Sequence, residues 1–175
     1  MTVVAGAARC ATSLAILLVA ICTAALADAP VLHILGIRLG MSQEEVAQAL
    51  SARDDVTERD EVRRSSGALS RMVVRLRDGR TLQIAFAPPA APMSADIVLS
   101  DPAATDVAAA RRDAEAQYGA PAGTRRTDGG RGLILGWNGT PEAEGAMRPR
   151  PGAAGTLRLQ VLPDRGSELR LTRVP

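Results

Sequence analysis

Cysteine, histidine, aromatic residues and lysine are all scarce or missing from this 175-residue chain, and each absence removes a class of function. The two cysteines, Cys10 and Cys22, both precede Asp28, so a chain trimmed at that point carries no thiol for disulfides, zinc or nucleophilic catalysis. His33 is the only histidine. A general base needs a partner held within hydrogen-bond reach, and a lone imidazole in an apolar leader reads instead as a structural or surface residue. Phe86, Tyr118 and Trp137 are the only aromatics, so the core must be built from Leu, Val, Ile, Met and Ala. Single-stranded nucleic acid is bound on aromatic stacking platforms, which this chain lacks.

Charge excludes more. All 21 basic residues are arginine, set against 19 acids for a net charge of +2. That balance is not the concentrated surplus that nucleic acid demands, so no nucleic-acid partner is expected. Arginine without lysine, beside abundant alanine, reads as the codon bias of a GC-rich bacterial genome. Asp54, Asp55, Glu58, Asp60 and Glu61 form the only acid cluster, but Arg59, Arg63 and Arg64 alternate with it. It reads as a self-neutralising surface rather than a calcium loop. The glycines after Arg125-Arg126 lead into a strand, whereas a P-loop opens a helix with Gly-Lys-Ser/Thr. A hairpin turn is expected there, and no cofactor or metal anywhere.

What is present begins at the start of the chain. Arg9 is the only charge before Asp28, and an apolar run from Ser13 to Cys22 relaxes into Thr23-Ala24-Ala25-Leu26-Ala27. A positive start, a short hydrophobic stretch and an Ala-x-Ala end make a secretory signal peptide. Residues 1–27 are therefore expected to be cleaved after Ala25 and Ala27 have filled the peptidase subsites. The apolar run is shorter than a membrane span requires. Removal would leave 148 of the 175 residues, with 20 arginines against 19 acids and no transmembrane span. The expected location is periplasmic or extracellular. Lipid anchoring through Cys22 is the alternative, although Ile21 stands where a lipobox has a small residue.

Along residues 28–175, Ser42 with Glu45 forms a capping box, Met41 and Val46 are placed as a hydrophobic staple, and a helix is expected over about 43–52. Met72, Val74 and Leu76 alternate with arginines, Asp78-Gly79 supplies a type I′ turn, and Leu82, Ile84 and Phe86 alternate in return. Val56–Arg64 offers another strand. Pro88, Pro89 and Pro92 end the segment, and Ile97-Val98-Leu99 reads as a short buried strand. Asp101-Pro102 is expected to open a second helix that Gly119 and Pro121 close. Strands follow at 131–137, 157–161 and 169–171, separated by a loop over 138–155 that is expected to be mobile. These elements predict an α+β fold: two helix-plus-antiparallel-hairpin halves, 28–92 and 93–175, packing two helices on an antiparallel sheet.

Gly36-Ile37-Arg38-Leu39-Gly40-Met41-Ser42-Gln43-Glu44-Glu45-Val46, with Leu50, resembles the opening of small bacterial envelope domains. These are the SmpA/OmlA-type outer-membrane assembly lipoproteins and, more loosely, the β-lactamase-inhibitor-protein fold. Tyr118-Gly119-Ala120-Pro121 is similar to a helix end in the same kind of domain. The resemblance implies a binding or scaffolding role in the envelope, with an envelope protein as partner, and it carries over no functional residue.

The expected function is therefore a non-enzymatic periplasmic binding or envelope-scaffolding protein. Its candidate binding residues are Arg71, Arg75, Arg77 and Arg80, the one local basic patch. Two alternatives stand beside it: a secreted carboxylate-dependent hydrolase using Asp54, Asp55 or Glu61, and an inhibitor of a secreted enzyme that inserts the 138–155 loop.

Overall fold

The computed structural model describes residues 31–87, 93–143 and 146–174. The expected signal peptide with Ala25 and Ala27, both cysteines, and Pro88, Pro89 and Pro92 lie outside them.

Among the described residues, two α-helices and ten strands follow one another: α1 (Gln43–Ser51), β1 (Val56–Arg63), β2 (Leu69–Leu76), β3 (Thr81–Phe86), β4 (Ser94–Asp101), α2 (Val107–Tyr118), β5 (Gly123–Thr127), β6 (Gly132–Trp137), β7 (Gly139–Pro141), β8 (Met147–Pro149), β9 (Gly155–Leu162) and β10 (Gly166–Arg173). Eight strands form one antiparallel sheet in the order β1-β2-β3-β4-β10-β9-β6-β5, and β7 and β8 make a separate hairpin. The expected α+β arrangement of two helix-plus-hairpin halves is not what forms. The chain is predominantly β, and β4, which opens the expected second half, is a central strand hydrogen-bonded to β3 of the first half on one edge and to β10 on the other. A helix precedes each run of strands, but β4 and β10 join the runs edge to edge, so the sheet has no seam.

Alternation explains why the sheet is continuous. Register places Met72, Ile84, Ile97, Leu171, Leu157 and Trp137 in one apolar row across six strands. Val74, Leu82, Leu99, Leu169, Leu159 and Leu135 form the next row. A shift of one residue in any strand would turn its apolar set to the opposite face, which pins the pairing. Val46 and Leu50 of α1, Ala114 and Tyr118 of α2, and Ile34 and Ile37 of the leader join this single core. All of them therefore cover the same side of the sheet.

Both sheet edges are blunted by charge. In β1, register sets Arg59 opposite Val74 and Glu61 opposite Met72, on the core side, where Glu61 bridges Arg59 and Arg63 at 2.7 and 2.6 Å. Inward-pointing charges on an edge strand oppose pairing with another chain. The other edge, β5, is Gly-Thr-Arg-Arg-Thr, with its central three residues exposed.

Local signals were met with differences of detail. The α1 capping box forms in full, and the helix ends one residue before the expected limit. Asp101 does not cap α2. Its carboxylate accepts from the backbone N–H groups of Ala103 and Ala104 in a turn of its own, and Asp106 caps the helix through Ala108 and Ala109. Gly79 has φ +88° but Asp78 does not share a positive φ, so the β2–β3 turn is not type I′. Gly79 N–H instead closes a turn on the Leu76 carbonyl and the strand resumes after it, the longer hairpin geometry with a single left-handed glycine. The stretch expected as a mobile loop carries paired structure instead: its described residues 138–143 and 146–155 hold the strands β7 and β8 and the start of β9.

Candidate functional site

Among the described residues, the helices and leader cover only one face of the sheet; on the second face β6 is still buried, while the strands beside it are half-buried. Register assigns the side chains of this second face. One row runs Arg75, Thr81, Ser100, Glu168, Gln160; the next Gln83, Val98, Arg170, Arg158; the third Arg71, Ala85, Asp96, Thr172, Thr156. Most of these residues are only half-buried, although the strands that carry them run through the middle of the sheet.

The β7–β8 hairpin stands at one side of this face, and glycine makes its seat. Gly123 and Gly136 are direct partners across β5 and β6. A Cβ at Gly136 would lie 2.5 Å from Met147 Cε, 2.7 Å from the Gly139 carbonyl oxygen and 3.2 Å from Pro141 Cδ. One at Gly123 would lie 2.9 Å from Pro141 Cδ. The hairpin thus rests on bare backbone, which only glycine supplies.

Two grooves open end to end along β9 and β10. The larger, of about 420 Å³, is lined by Thr81, Ser100, Gln160, Leu162, Arg165 and Glu168. The other, of about 340 Å³, lies between the hairpin residues Met147 and Pro149 and a floor of Thr156, Arg158, Arg170 and Thr172. Arg158 donates to Glu168 at 2.8 Å. Arg170 makes a bidentate pair with Asp96 at 2.9 and 2.7 Å, and Thr172 donates to the same carboxylate at 3.0 Å. Such two-pronged pairs fix the planar guanidinium in place.

The four arginines singled out from the sequence are distributed differently. Arg71 and Arg75 do lie on the open face, in β2, whereas Arg77 and Arg80 flank the β2–β3 turn. Arg75 pairs with Glu58 at 3.0 Å and Arg80 with Asp78 at 2.7 Å. Arg77 donates to the Asp54 carbonyl at 2.7 Å. Of the four, Arg71 alone has neither an ion pair nor a side-chain hydrogen bond among the described residues. The pair that converges on a groove is Arg158 and Arg170, which sequence reasoning missed. Its signal was available: both occupy the polar position between leucines, at equal distance from the turn at Asp164.

The candidate carboxylates are not brought together. Asp55 is held by Arg53, whose side-chain hydrogen bond keeps its carboxyl below the usual range. Glu61 is likewise lowered by Arg63 and then Arg59. A general acid needs the opposite shift. Asp55 immediately precedes β1 and Glu61 lies near its far end, about 20 Å apart at the rise of an extended strand, where paired glycosidase carboxylates stand within about 10 Å. Neither groove is lined by Asp54, Asp55 or Glu61.

His33 belongs to the packing. Its Nδ1 accepts from the Gly36 N–H at 3.4 Å, its carbonyl accepts from the Tyr118 hydroxyl at 2.9 Å, and its ring meets Tyr118 edge-on. Tyr118 in turn packs on Trp137, whose indole N–H donates to the Gly119 carbonyl at 2.9 Å. Burial pushes the Tyr118 hydroxyl up to about 12. Among the described residues no group of His, Cys, Asp or Glu could hold a metal ion, and no helix is long and apolar enough to cross a membrane.

The resemblance to envelope domains rests on a capping box and a helix exit, both of which are local features. No family model, no curated protein and no solved structure matches the chain.

Proposed function

We propose that the protein is an exported, non-enzymatic envelope protein that binds a protein partner through the open face of its sheet. One observation carries this reading: both helices and the leader cover one side, while central strands present polar, half-buried side chains and two grooves on the other. Sheet faces left without a covering layer, rich in arginine and short polar side chains, are suited to a partner that supplies the missing layer. The signal-peptide pattern and the envelope-like helix entry support the location. The separation of Asp55 from Glu61, each held by arginine, favours binding over hydrolysis. The hairpin seated on Gly123 and Gly136 favours a fixed wall over a freely inserting inhibitory loop.

The test compares charge-changing substitutions on the two sides of the molecule. Partner capture from an envelope fraction should be lost with Gln83→Arg and Gln160→Arg on the open face. It should survive Glu44→Arg and Arg112→Glu on exposed helix positions. The reverse pattern would place the binding surface on the helices and overturn the reading.

A further inference from the structure

We infer that the groove between the Arg158–Arg170 pair and the β7–β8 hairpin binds an organic anion on an apolar arm, a phosphate monoester or carboxylate carried by an aliphatic chain. The inference rests on the open face being the binding face and adds the chemical class that one part of it takes.

Arg158 and Arg170 are direct cross-strand partners in β9 and β10. Like charges set directly opposite each other destabilise a sheet, and here one of them, Arg158, has a side chain only 16% exposed. Carboxylates hold both guanidiniums from outside the groove: Glu168 on Arg158, Asp96 on Arg170. Among the described residues, no acid lines the groove itself. Asp96 occupies Nε and Nη2 of Arg170, which leaves Nη1 without a hydrogen bond among the described residues. An anion seated between the two guanidiniums would take up that Arg170 donor, by charge-assisted bonds of the kind arginine makes to phosphate and carboxylate.

The opposite wall has different chemistry. Met147, Pro149 and Val174 are apolar and line the same groove. Its volume of about 340 Å³ lies at the lower end of small-ligand sites. A bare inorganic anion would leave that wall wet, and a neutral aliphatic chain would make no charge-assisted bond to Arg170. The two walls together select a ligand that carries both features.

Asp96 is an internal competitor for Arg170, which makes the inference testable in two directions. Hexyl phosphate would be titrated calorimetrically into the chain lacking residues 1–27, with inorganic phosphate and hexanol as the partial probes. Hexyl phosphate should bind at least about tenfold more tightly than either, the equivalent of one good contact from each wall. Arg170→Gln should weaken it by about tenfold, while Asp96→Asn, which frees the guanidinium, should tighten it. Thermal melts of both variants confirm that each is folded. Equal affinity for inorganic and hexyl phosphate, no loss in Arg170→Gln, or weakening in Asp96→Asn would overturn the inference. Should hexyl phosphate fail to bind while partner capture still depends on Gln83 and Gln160, the anion site is refuted and the binding face stands. Phosphatidylglycerol vesicles that displace hexyl phosphate would assign the anion to a lipid headgroup, and failure to displace it would assign a soluble phosphate ester; vesicle binding without any hexyl phosphate binding refutes the groove.

Discussion

Replacing Gly136 by alanine should loosen the β7–β8 hairpin from the sheet, and the structure says how much and why. The new methyl would approach Met147 Cε at 2.5 Å and the Gly139 carbonyl oxygen at 2.7 Å. The methionine end can swing aside, but the carbonyl is backbone and can move only with the hairpin. Overpacking of this kind costs roughly 1–3 kcal/mol. We expect about 2 kcal/mol, which for a domain of this size lowers the melting temperature by about 4–8 °C. Gly123→Ala meets mainly side-chain atoms of Pro141 and Thr140, the nearest at 2.9 Å, and should cost less. Adding Met147→Ala to Gly136→Ala removes one clash and leaves the other, so it should not restore stability. Urea denaturation gives the energies, and amide exchange over residues 139–149 shows whether the loss is local. Wild-type stability in Gly136→Ala, or full rescue by Met147→Ala, would refute the claim that backbone contact on glycine seats the hairpin.

Other perturbations test the frame around the site. Gly166→Ala should be more damaging, about 3 kcal/mol, because Gly166 has φ +82° and a Cβ there would run into the Asp101 carbonyl where β10 meets β4; a urea midpoint near wild type would contradict this. Tyr118 should make the protein alkali-sensitive. Its folded value of about 12 exceeds the ordinary 10.0, so the unfolded chain loses the proton first. The stabilisation is complete below pH 10 and is lost as pH rises towards 12; Tyr118→Phe should abolish that slope in a pH series of melts. Converting Arg59, Glu61 and Arg63 to Val, Thr and Val removes the inward charges of β1 and should produce concentration-dependent association, read by light scattering. A variant that stays monomeric would show that these charges do not protect the edge.

Much of the sheet was legible wherever apolar and polar residues alternate. Met72 to Leu76, Leu82 to Phe86, and Leu157 to Val161 each carry a two-residue period, and each forms a strand with the expected inward face. The Ser42–Glu45 capping box was equally plain, because its two hydrogen bonds lie within one turn. What failed was everything set by distant partners. β5, Gly-Thr-Arg-Arg-Thr, has no apolar residue to alternate and is a strand only because β6 pairs with it. The β7–β8 hairpin has Pro141 and Pro149 in its strands and glycines beneath it, which read from sequence as loop composition. β4 looked like a three-residue fragment beside prolines, yet it is central because Ser94 anchors it. The Ser94 hydroxyl donates to the Arg38 carbonyl at 2.6 Å and accepts from the Met41 N–H at 3.0 Å. The expected division into halves failed there. The arginine patch was legible as a set of side chains but not as partners, since Glu58, Asp78 and the Asp54 carbonyl reach three of the four through folding.

The measurement that bears most directly on the account is photo-crosslinking in the intact host envelope. A photoreactive residue would be placed singly at Thr81, Gln83 and Gln160 on the open face, and at Glu44 and Arg112 on the helices. The account predicts that open-face positions crosslink to one partner of defined mass, in the exported fraction, and that helix positions do not. Crosslinks from the helix positions alone, or equally from both sides, would contradict it.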